Sequence, residues 1–121
     1  MAIVLIVEDD AFIRELAGMM VDGWGHHTFL ADGVDAALRI LRADQPIDLL
    51  FTDIYLHQSV HGGCELAQLA VALRPGLRVL YTTGNQITDN MKNSFVVGGH
   101  YIRKPYTPQQ LQISYDKLLA V

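Results

Sequence analysis

Residues 2–10 read AIVLIVEDD, so six consecutive apolar residues stand directly before three carboxylates. Because no polar residue interrupts residues 2–7, this run is typical of a strand that is buried on both faces, as in a parallel sheet. After the carboxylates, apolar residues from Phe12 to Val21 follow helical spacing, and Gly23 ends the pattern. The opening of the chain therefore predicts a buried parallel strand that is followed by an amphipathic helix.

The rest of the chain repeats this alternation. Further apolar runs predict four more strands, at residues 28–31, 47–51, 77–82 and 100–103. Helical stripes predict helices that include residues 36–41, 66–73 and 86–97, and Thr107 followed by Pro108 predicts the start of a last helix. Such alternation implies parallel strands with helices on both faces. The predicted fold class is therefore α/β, a doubly wound sheet of five parallel strands with five helices, whose working site lies at the carboxyl ends of the strands.

Length and charge restrict the possible functions. The chain has 121 residues, with 13 Asp and Glu against 9 Lys and Arg, and its formal net charge is −4. This length fits one domain, residues 1–121, and the scattered basic residues argue against direct binding to nucleic acid. No apolar stretch approaches the roughly 18 residues that span a membrane. The lone cysteine, Cys64, leaves no intrachain disulfide, which fits the reducing cytoplasm. Taken together, these features lead us to expect a cytoplasmic domain with neither a nucleic-acid nor a membrane partner.

Polar residues stand at the ends of the predicted strands. Glu8, Asp9 and Asp10 follow the first strand, Asp53 follows the third, Thr82 and Thr83 follow the fourth, and Lys104 follows the fifth. Clustered carboxylates need a hard cation, and oxygen ligands of this type suit Mg²⁺, which completes its shell with water and phosphate. The pattern predicts a phosphoryl-transfer site. Asp53 is the nucleophile that forms an aspartyl phosphate, Lys104 pairs with phosphoryl oxygens, and the Thr83 hydroxyl donates a hydrogen bond to one of them.

In their order and spacing these motifs resemble the response-regulator receiver domains of two-component signalling. The resemblance spans the full chain and rests on Val7-Glu8-Asp9-Asp10, Asp53, Thr83 and Tyr101-Ile102-Arg103-Lys104-Pro105. It implies a flavodoxin-like sheet of strand order 2-1-3-4-5, in which Asp53 accepts a phosphoryl group from a histidine kinase or a histidine phosphotransfer protein. The acidic pair is then Glu8 and Asp9, with Asp9 and Asp53 in direct contact with Mg²⁺. The backbone carbonyl of Tyr55 completes the protein ligands, and Asp10 is an additional carboxylate.

The same resemblance implies a switch. The Thr83 hydroxyl moves toward the phosphoryl group and Tyr101 turns inward behind it, which remodels the face formed by helix four, strand five and helix five. Physically this is a population shift that one new charged ligand biases. The face would control a downstream protein target, and a homodimer through the same face is compatible with its residues. Tyr55 and Asn85 stand two residues after Asp53 and Thr83, at positions that border the path of the attacking water.

Alternatives from other classes remain open. The first is a receiver-like interaction module that takes no phosphate, although the complete set of site residues argues against it. The second is a nucleotide- or flavin-binding fold, but the acidic loop after the first strand would repel phosphate without a metal. The third is an aspartate-nucleophile phosphatase, but Tyr55 occupies the place of its usual second carboxylate. We therefore expect self-phosphorylation and self-dephosphorylation only, and no enzyme activity on other substrates.

The loop after Asp53 departs from the receiver pattern. It is longer than usual, lacks the customary proline, and carries His57 and His61. The simplest interpretation is a solvated loop with adaptable polar groups. A second hypothesis is that the loop shapes the choice of partner or tunes hydrolysis of the phosphoryl group.

Overall fold

The computed structural model describes residues 1–56 and 62–120, and strands and helices alternate within these ranges. The strands are β1 (Ile3–Val7), β2 (His27–Ala31), β3 (Leu49–Asp53), β4 (Arg78–Thr83) and β5 (His100–Arg103). The helices are α1 (Ala11–Gly23), α2 (Val34–Arg42), α3 (Gly62–Leu73), α4 (Asp89–Asn93) and α5 (Pro108–Leu119). The loop histidines, His57 and His61, lie outside the described residues. Among the described helices, none is long and apolar enough to cross a membrane.

The strands of the described chain form one parallel sheet of order β2-β1-β3-β4-β5. The predicted fold class and strand order are therefore confirmed. β1 pairs with β2 on one side and with β3 on the other, and residues 4–7 of β1 are at most 1% exposed. This burial from both faces explains why polar residues do not alternate with apolar ones in the opening strand.

The side chains of β1 alternate between two apolar cores, one on each face of the sheet. Leu5 and Val7 belong to the first core, where the sheet packs against α2, α3 and α4. Val4 and Ile6 belong to the second core, where the sheet packs against α1 and α5. Each fully buried aliphatic side chain contributes about 1.5–3 kcal/mol to folding. Packing on both faces therefore holds the carboxyl ends of the strands as a firm edge.

Helix α4 is much shorter than predicted, since it covers Asp89–Asn93 and not residues 86–97. Its start is set by Thr88, whose side-chain oxygen accepts a hydrogen bond from the backbone N–H of Met91 at 3.2 Å. After the helix, the backbone N–H of Val96 donates to the hydroxyl of Tyr81 in β4 at 3.0 Å. An amide that bonds to a side chain in the sheet does not continue the helical ladder. The predicted length of this helix is wrong, because Thr88 sets its start at Asp89 and the contact of Val96 with Tyr81 keeps it from reaching residue 97.

Candidate functional site

The carboxyl ends of four strands bring the predicted site residues to one edge of the sheet. In the register of the sheet, Val7 pairs with Thr52, Asp53 with Thr82, and Thr83 with Arg103. The residues that leave β1 and β5 at this level are Glu8, Asp9 and Lys104. They therefore emerge beside Asp53, although they lie far from it in the sequence.

Lys104 joins carboxylates from two other strands. Its Nζ donates to Oε1 of Glu8 at 2.6 Å and to Oδ2 of Asp53 at 2.9 Å. Both carboxylates are buried, with Glu8 4% and Asp53 8% exposed. Hydrogen bonds between charged groups are about twice as strong as neutral ones, and burial protects them from screening by salt. Lys104 therefore holds Asp53 in place next to Glu8.

Three carboxylates form a cluster at this edge. Glu8, Asp9 and Asp53 each place one carboxylate oxygen within 4.8 Å of the others. Glu8 and Asp53 are buried, whereas Asp9 is exposed, so the cluster reaches the surface at Asp9. A donor set made of carboxylate oxygens suits a hard divalent cation such as Mg²⁺. The chemistry of the cluster therefore fits the predicted Mg²⁺, and half-buried Tyr55, the predicted carbonyl ligand, follows Asp53 by two residues.

The electrostatics of the cluster favour an added cation. Burial has the largest effect on Glu8 and, together with Asp53 and Asp9, raises the pKa of Glu8 from 4.5 to about 7, although the contact with Lys104 opposes the change. Burial lowers the pKa of Lys104, but its hydrogen bonds to Glu8 and Asp53 outweigh that effect and raise it overall. Lys104 is therefore charged at neutral pH. One lysine does not neutralise three carboxylates, and a divalent cation would complete the balance.

Asp10 caps a helix. Its Oδ1 accepts a hydrogen bond from the backbone N–H of Ile13 at 3.0 Å, which makes Asp10 the N-cap of α1. Its own backbone N–H donates to Oε2 of Glu8 at 3.2 Å. Among the described residues, the group of three converging carboxylates does not include Asp10. The additional carboxylate of the sequence therefore orders the loop that carries Glu8 and Asp9.

Thr83 is the last residue of β4 and is completely buried. The predicted strand stops one residue earlier, but Thr83 still pairs with Arg103 of β5, which extends the strand. The Thr83 hydroxyl oxygen accepts a hydrogen bond from the backbone N–H of Asn85 at 3.1 Å. This contact uses an oxygen lone pair and leaves the hydroxyl proton for another acceptor. Asn85 is exposed, and it contacts Thr83 through its backbone N–H.

Tyr101 lies at the surface of β5, where it is 43% exposed. Its partner in the neighbouring strand is Tyr81, and Phe95 stacks on Tyr81 with ring centroids 4.1 Å apart and planes 13° from parallel. The Phe95 ring also lies 6.0 Å from the Tyr101 ring, and the Lys92 ammonium lies 5.6 Å from the same ring. The predicted switch tyrosine is therefore at the surface, beside groups from α4 and from the segment that follows it.

We expect Phe95→Ala to lower the free energy of unfolding by about 2 kcal/mol, because a half-buried ring that stacks on buried Tyr81 is removed. The matched control is Phe12→Ala, since Phe12 is 76% exposed and its removal should change stability by less than about 0.5 kcal/mol. Urea unfolding of both variants measures the difference. Equal midpoints for the two variants would show that the stack on Tyr81 contributes nothing.

The sequence analysis did not predict two residues that support the site, Gly63 and Arg14. The backbone N–H of Gly63 donates to the carbonyl of Ile54 at 2.9 Å, and a Cβ at Gly63 would lie 2.0 Å from the carbonyl oxygen of Asp53. Glycine is a poor helix former, so two glycines at the start of a helix are a signal that the backbone there lies close to another segment. Arg14 donates from Nη1 to the carbonyl of Glu8 at 2.9 Å, and no sequence pattern indicates that contact.

The fold and the site together define the class of protein: a five-stranded parallel α/β domain that gathers three carboxylates and a lysine at the carboxyl edge of its sheet. The family model for the response regulator receiver domain matches residues 4–116. The chain belongs to this family, which confirms the resemblance seen in its motifs. Phosphorylation-dependent signalling is the general function of receiver domains in two-component response regulators.

Individual relatives agree with the family assignment. The chain is 28% identical over 119 residues to the putative response regulator NtrX-like of Rickettsia bellii, covering 98% of this chain and 25% of the relative. It is 27% identical over 118 residues to the response regulator receiver protein CpdR of Brucella abortus, covering 96% of this chain and 95% of CpdR. A CheY-like response regulator receiver domain protein of Methanospirillum hungatei has a similar solved structure, with a TM-score of 0.85, 27% identity and coverage of 97% and 92%. The chain thus spans about a quarter of the NtrX-like relatives and almost all of CpdR.

Proposed function

We propose that this chain is a signalling receiver in which Asp53 accepts a phosphoryl group from a histidine kinase or a histidine phosphotransfer protein. The observation that carries the proposal is the setting of Asp53. One carboxylate oxygen lies 2.9 Å from the Lys104 ammonium, and the carboxylate converges with those of Glu8 and Asp9. A phosphoryl group is negatively charged, so it approaches this acidic edge only where positive charge is present, and Lys104 supplies part of that charge.

The residues that would hold Mg²⁺ are Glu8, Asp9, Asp53 and, through its backbone carbonyl, Tyr55. Bound Mg²⁺ would supply the remaining positive charge and polarise the phosphoryl oxygens. Asp9 is exposed and therefore offers a cation its first contact from solvent. Glu8 is buried and is held by Lys104 and by the backbone N–H of Asp10, so its carboxylate keeps one orientation.

The proposed chemical step moves a phosphoryl group between two nucleophiles. A carboxylate oxygen of Asp53 forms a new P–O bond while the P–N bond to the donor imidazole breaks, and the electron pair of that bond returns to the imidazole nitrogen. Lys104 then pairs with a phosphoryl oxygen, and the Thr83 hydroxyl donates to another. Hydrolysis of the acyl phosphate restores the Asp53 carboxylate, with Tyr55 and Asn85 beside the path of the water. The chemistry is thus confined to self-phosphorylation and self-dephosphorylation.

The proposed switch connects Thr83 with Tyr101. Thr83 is buried beneath the edge of the sheet, whereas Tyr101 is at the surface against Phe95 and Lys92. A phosphoryl group that attracts the Thr83 hydroxyl favours the conformers in which Tyr101 turns inward. The face formed by α4, β5 and α5 then changes shape, and this face binds the downstream target protein or a second copy of the chain.

The test is incubation of the protein with acetyl phosphate and MgCl₂, followed by mass spectrometry of the intact chain and of its peptides. The expected result is one phosphoryl group on Asp53, and none on Asp53→Asn. The matched control is Asp44→Asn, because Asp44 is exposed between α2 and β3, at the amino ends of the strands. This control should take the label as the wild type does.

Two results would contradict the proposal. A label that persists in Asp53→Asn would place the phosphoryl group elsewhere. A wild-type protein that takes no label in the presence of Mg²⁺, from acetyl phosphate or from a phosphorylated histidine phosphotransfer protein, would favour the alternative of an interaction module that is not phosphorylated.

A further inference from the structure

The adjacent hydroxyls of Thr82 and Thr83 serve different sides of the sheet. Successive residues of a strand point to opposite faces. The Thr83 hydroxyl contacts the backbone of Asn85, whereas Thr82 lines a small cavity beneath the acidic cluster, between the sheet and α1. The proposed phosphoryl chemistry uses Thr83 and leaves Thr82 without a role.

The Thr82 hydroxyl is buried without a hydrogen-bond partner in the part of the chain that the structure describes. The residue is only 4% exposed. Buried hydroxyls in folded proteins nearly always bond to a protein group or to an ordered water, because an unpaired one costs free energy. We therefore expect the Thr82 hydroxyl to have a hydrogen-bond partner inside the cavity.

The cavity has the size and the polar lining that one water needs. Its volume is about 10 Å³, which is close to the minimum for a single water molecule. Three polar residues line it, namely Thr82, Glu8 and Tyr106, and the other lining residues are apolar. Oε1 of Glu8 accepts from Lys104 and Oε2 accepts from the backbone N–H of Asp10, and the two oxygens of a carboxylate together offer about four acceptor sites.

We propose that one ordered water fills this cavity and connects Thr82 to Glu8, so that Thr82 is a positioning residue for the acidic cluster. The water accepts the hydroxyl proton of Thr82 in a hydrogen bond and donates to the carboxylate of Glu8. The half-buried Tyr106, whose ring packs edge-on against Phe51 with the ring centroids 6.2 Å apart, also lines the cavity. Glu8 is thereby held by the water as well as by Lys104, in the orientation that converges with Asp9 and Asp53.

The consequence concerns the affinity for Mg²⁺, and in this respect the proposal rests on the proposed function of the site. Thr82→Val keeps the shape of the side chain and removes the hydroxyl, whereas Thr82→Ser keeps the hydroxyl. In calorimetric titrations of the full chain with MgCl₂, we expect Thr82→Val to raise the Kd for Mg²⁺ about fivefold, as the loss of one hydrogen bond to a charged network would. Thr82→Ser should stay within about twofold of the wild type.

Unfolding and crystallography provide independent measurements. If a water serves the hydroxyl, Thr82→Val should not unfold at a higher urea concentration than the wild type, because the water loses a partner. If the cavity is dry, the same variant removes an unpaired hydroxyl and becomes more stable. A crystal structure of the wild-type protein should show density for one water between Thr82 Oγ1 and the Glu8 carboxylate.

Each outcome decides the matter. Unchanged Mg²⁺ affinity in Thr82→Val, equal weakening in Thr82→Ser, increased stability of Thr82→Val, or a cavity without water density would each overturn the proposal. If Asp53 takes no label from acetyl phosphate while Thr82→Val still weakens Mg²⁺ binding and Thr82→Ser does not, the proposed function fails and the positioning role of Thr82 is supported.

Discussion

Gly63→Ala is expected to destabilise the fold by about 3 kcal/mol or more, a large part of the 5–15 kcal/mol that typical domains possess. A Cβ at this position would lie 2.0 Å from the carbonyl oxygen of Asp53 and 2.8 Å from the Cα of Ile54. Both neighbours are backbone atoms, so no side-chain rotation relieves the overlap. The start of α3 has to move away from the end of β3, which breaks the hydrogen bond from Gly63 to Ile54 and displaces Asp53.

The matched control for this variant is Gly23→Ala at the end of α1. A Cβ at Gly23 meets nothing within 4 Å, so alanine should be neutral there or stabilise the helix by up to about 1 kcal/mol. Urea unfolding followed by circular dichroism compares the two variants. A Gly63→Ala protein that unfolds at the wild-type urea concentration would show that the contact between α3 and β3 is not tight.

Lys104→Met is expected to slow the labelling of Asp53 by acetyl phosphate about 100-fold. The variant keeps an unbranched side chain but loses the ammonium that contacts Glu8 at 2.6 Å and Asp53 at 2.9 Å. A hydrogen bond between charged groups contributes about 1.5–3 kcal/mol, and about 1.4 kcal/mol corresponds to a factor of ten in rate. Lys117→Met is the control, because Lys117 is exposed on α5, and it should react at the wild-type rate. A Lys104→Met rate equal to that of the control would remove Lys104 from the proposed mechanism.

The same variant should change how stability depends on pH. In the wild type the pKa of Glu8 is raised from 4.5 to about 7, first by burial, so between these pH values the folded protein binds more protons than the unfolded chain. The free energy of unfolding therefore falls as the pH rises through this range. Lys104 opposes the increase in the pKa of Glu8, so its removal raises that pKa further and extends the fall to higher pH. Compared with the wild type, Lys104→Met should lose more stability at about pH 8 than at about pH 5. An equal loss at both pH values in urea unfolding would contradict this account.

The predicted site residues that the structure brings together are those that follow buried strands. Glu8, Asp9, Asp53 and Lys104 each stand directly at or after the end of an apolar run, and parallel pairing brings such ends to one level. Local pattern and topology are therefore enough to place these residues together. Their chemical roles stay predictions, which the experiments with Asp53 and Lys104 test.

Other features were hidden because side chains act at a distance along the chain. The Tyr81 hydroxyl accepts a hydrogen bond from the backbone N–H of Val96, and the Phe95 ring stacks on the Tyr81 ring. Nothing in the sequence near residue 94 indicates these contacts, so the predicted helix extends too far. The carboxylate of Asp10 resembles its neighbours in the sequence, but its bond to Ile13 turns it into a helix cap.

The sequence by itself determined the alternation of strands and helices, the parallel sheet, and the family, because hydrophobic periodicity and the order of a few motifs are properties of local segments. Only the tertiary structure decided that α4 ends at Asn93, that Gly63 lies against Asp53, and that Thr82 faces a cavity while Thr83 contacts Asn85. These features depend on the packing of side chains from segments that are distant in the chain. Such packing depends on the detailed shapes of the side chains, and no periodic pattern in the sequence encodes it.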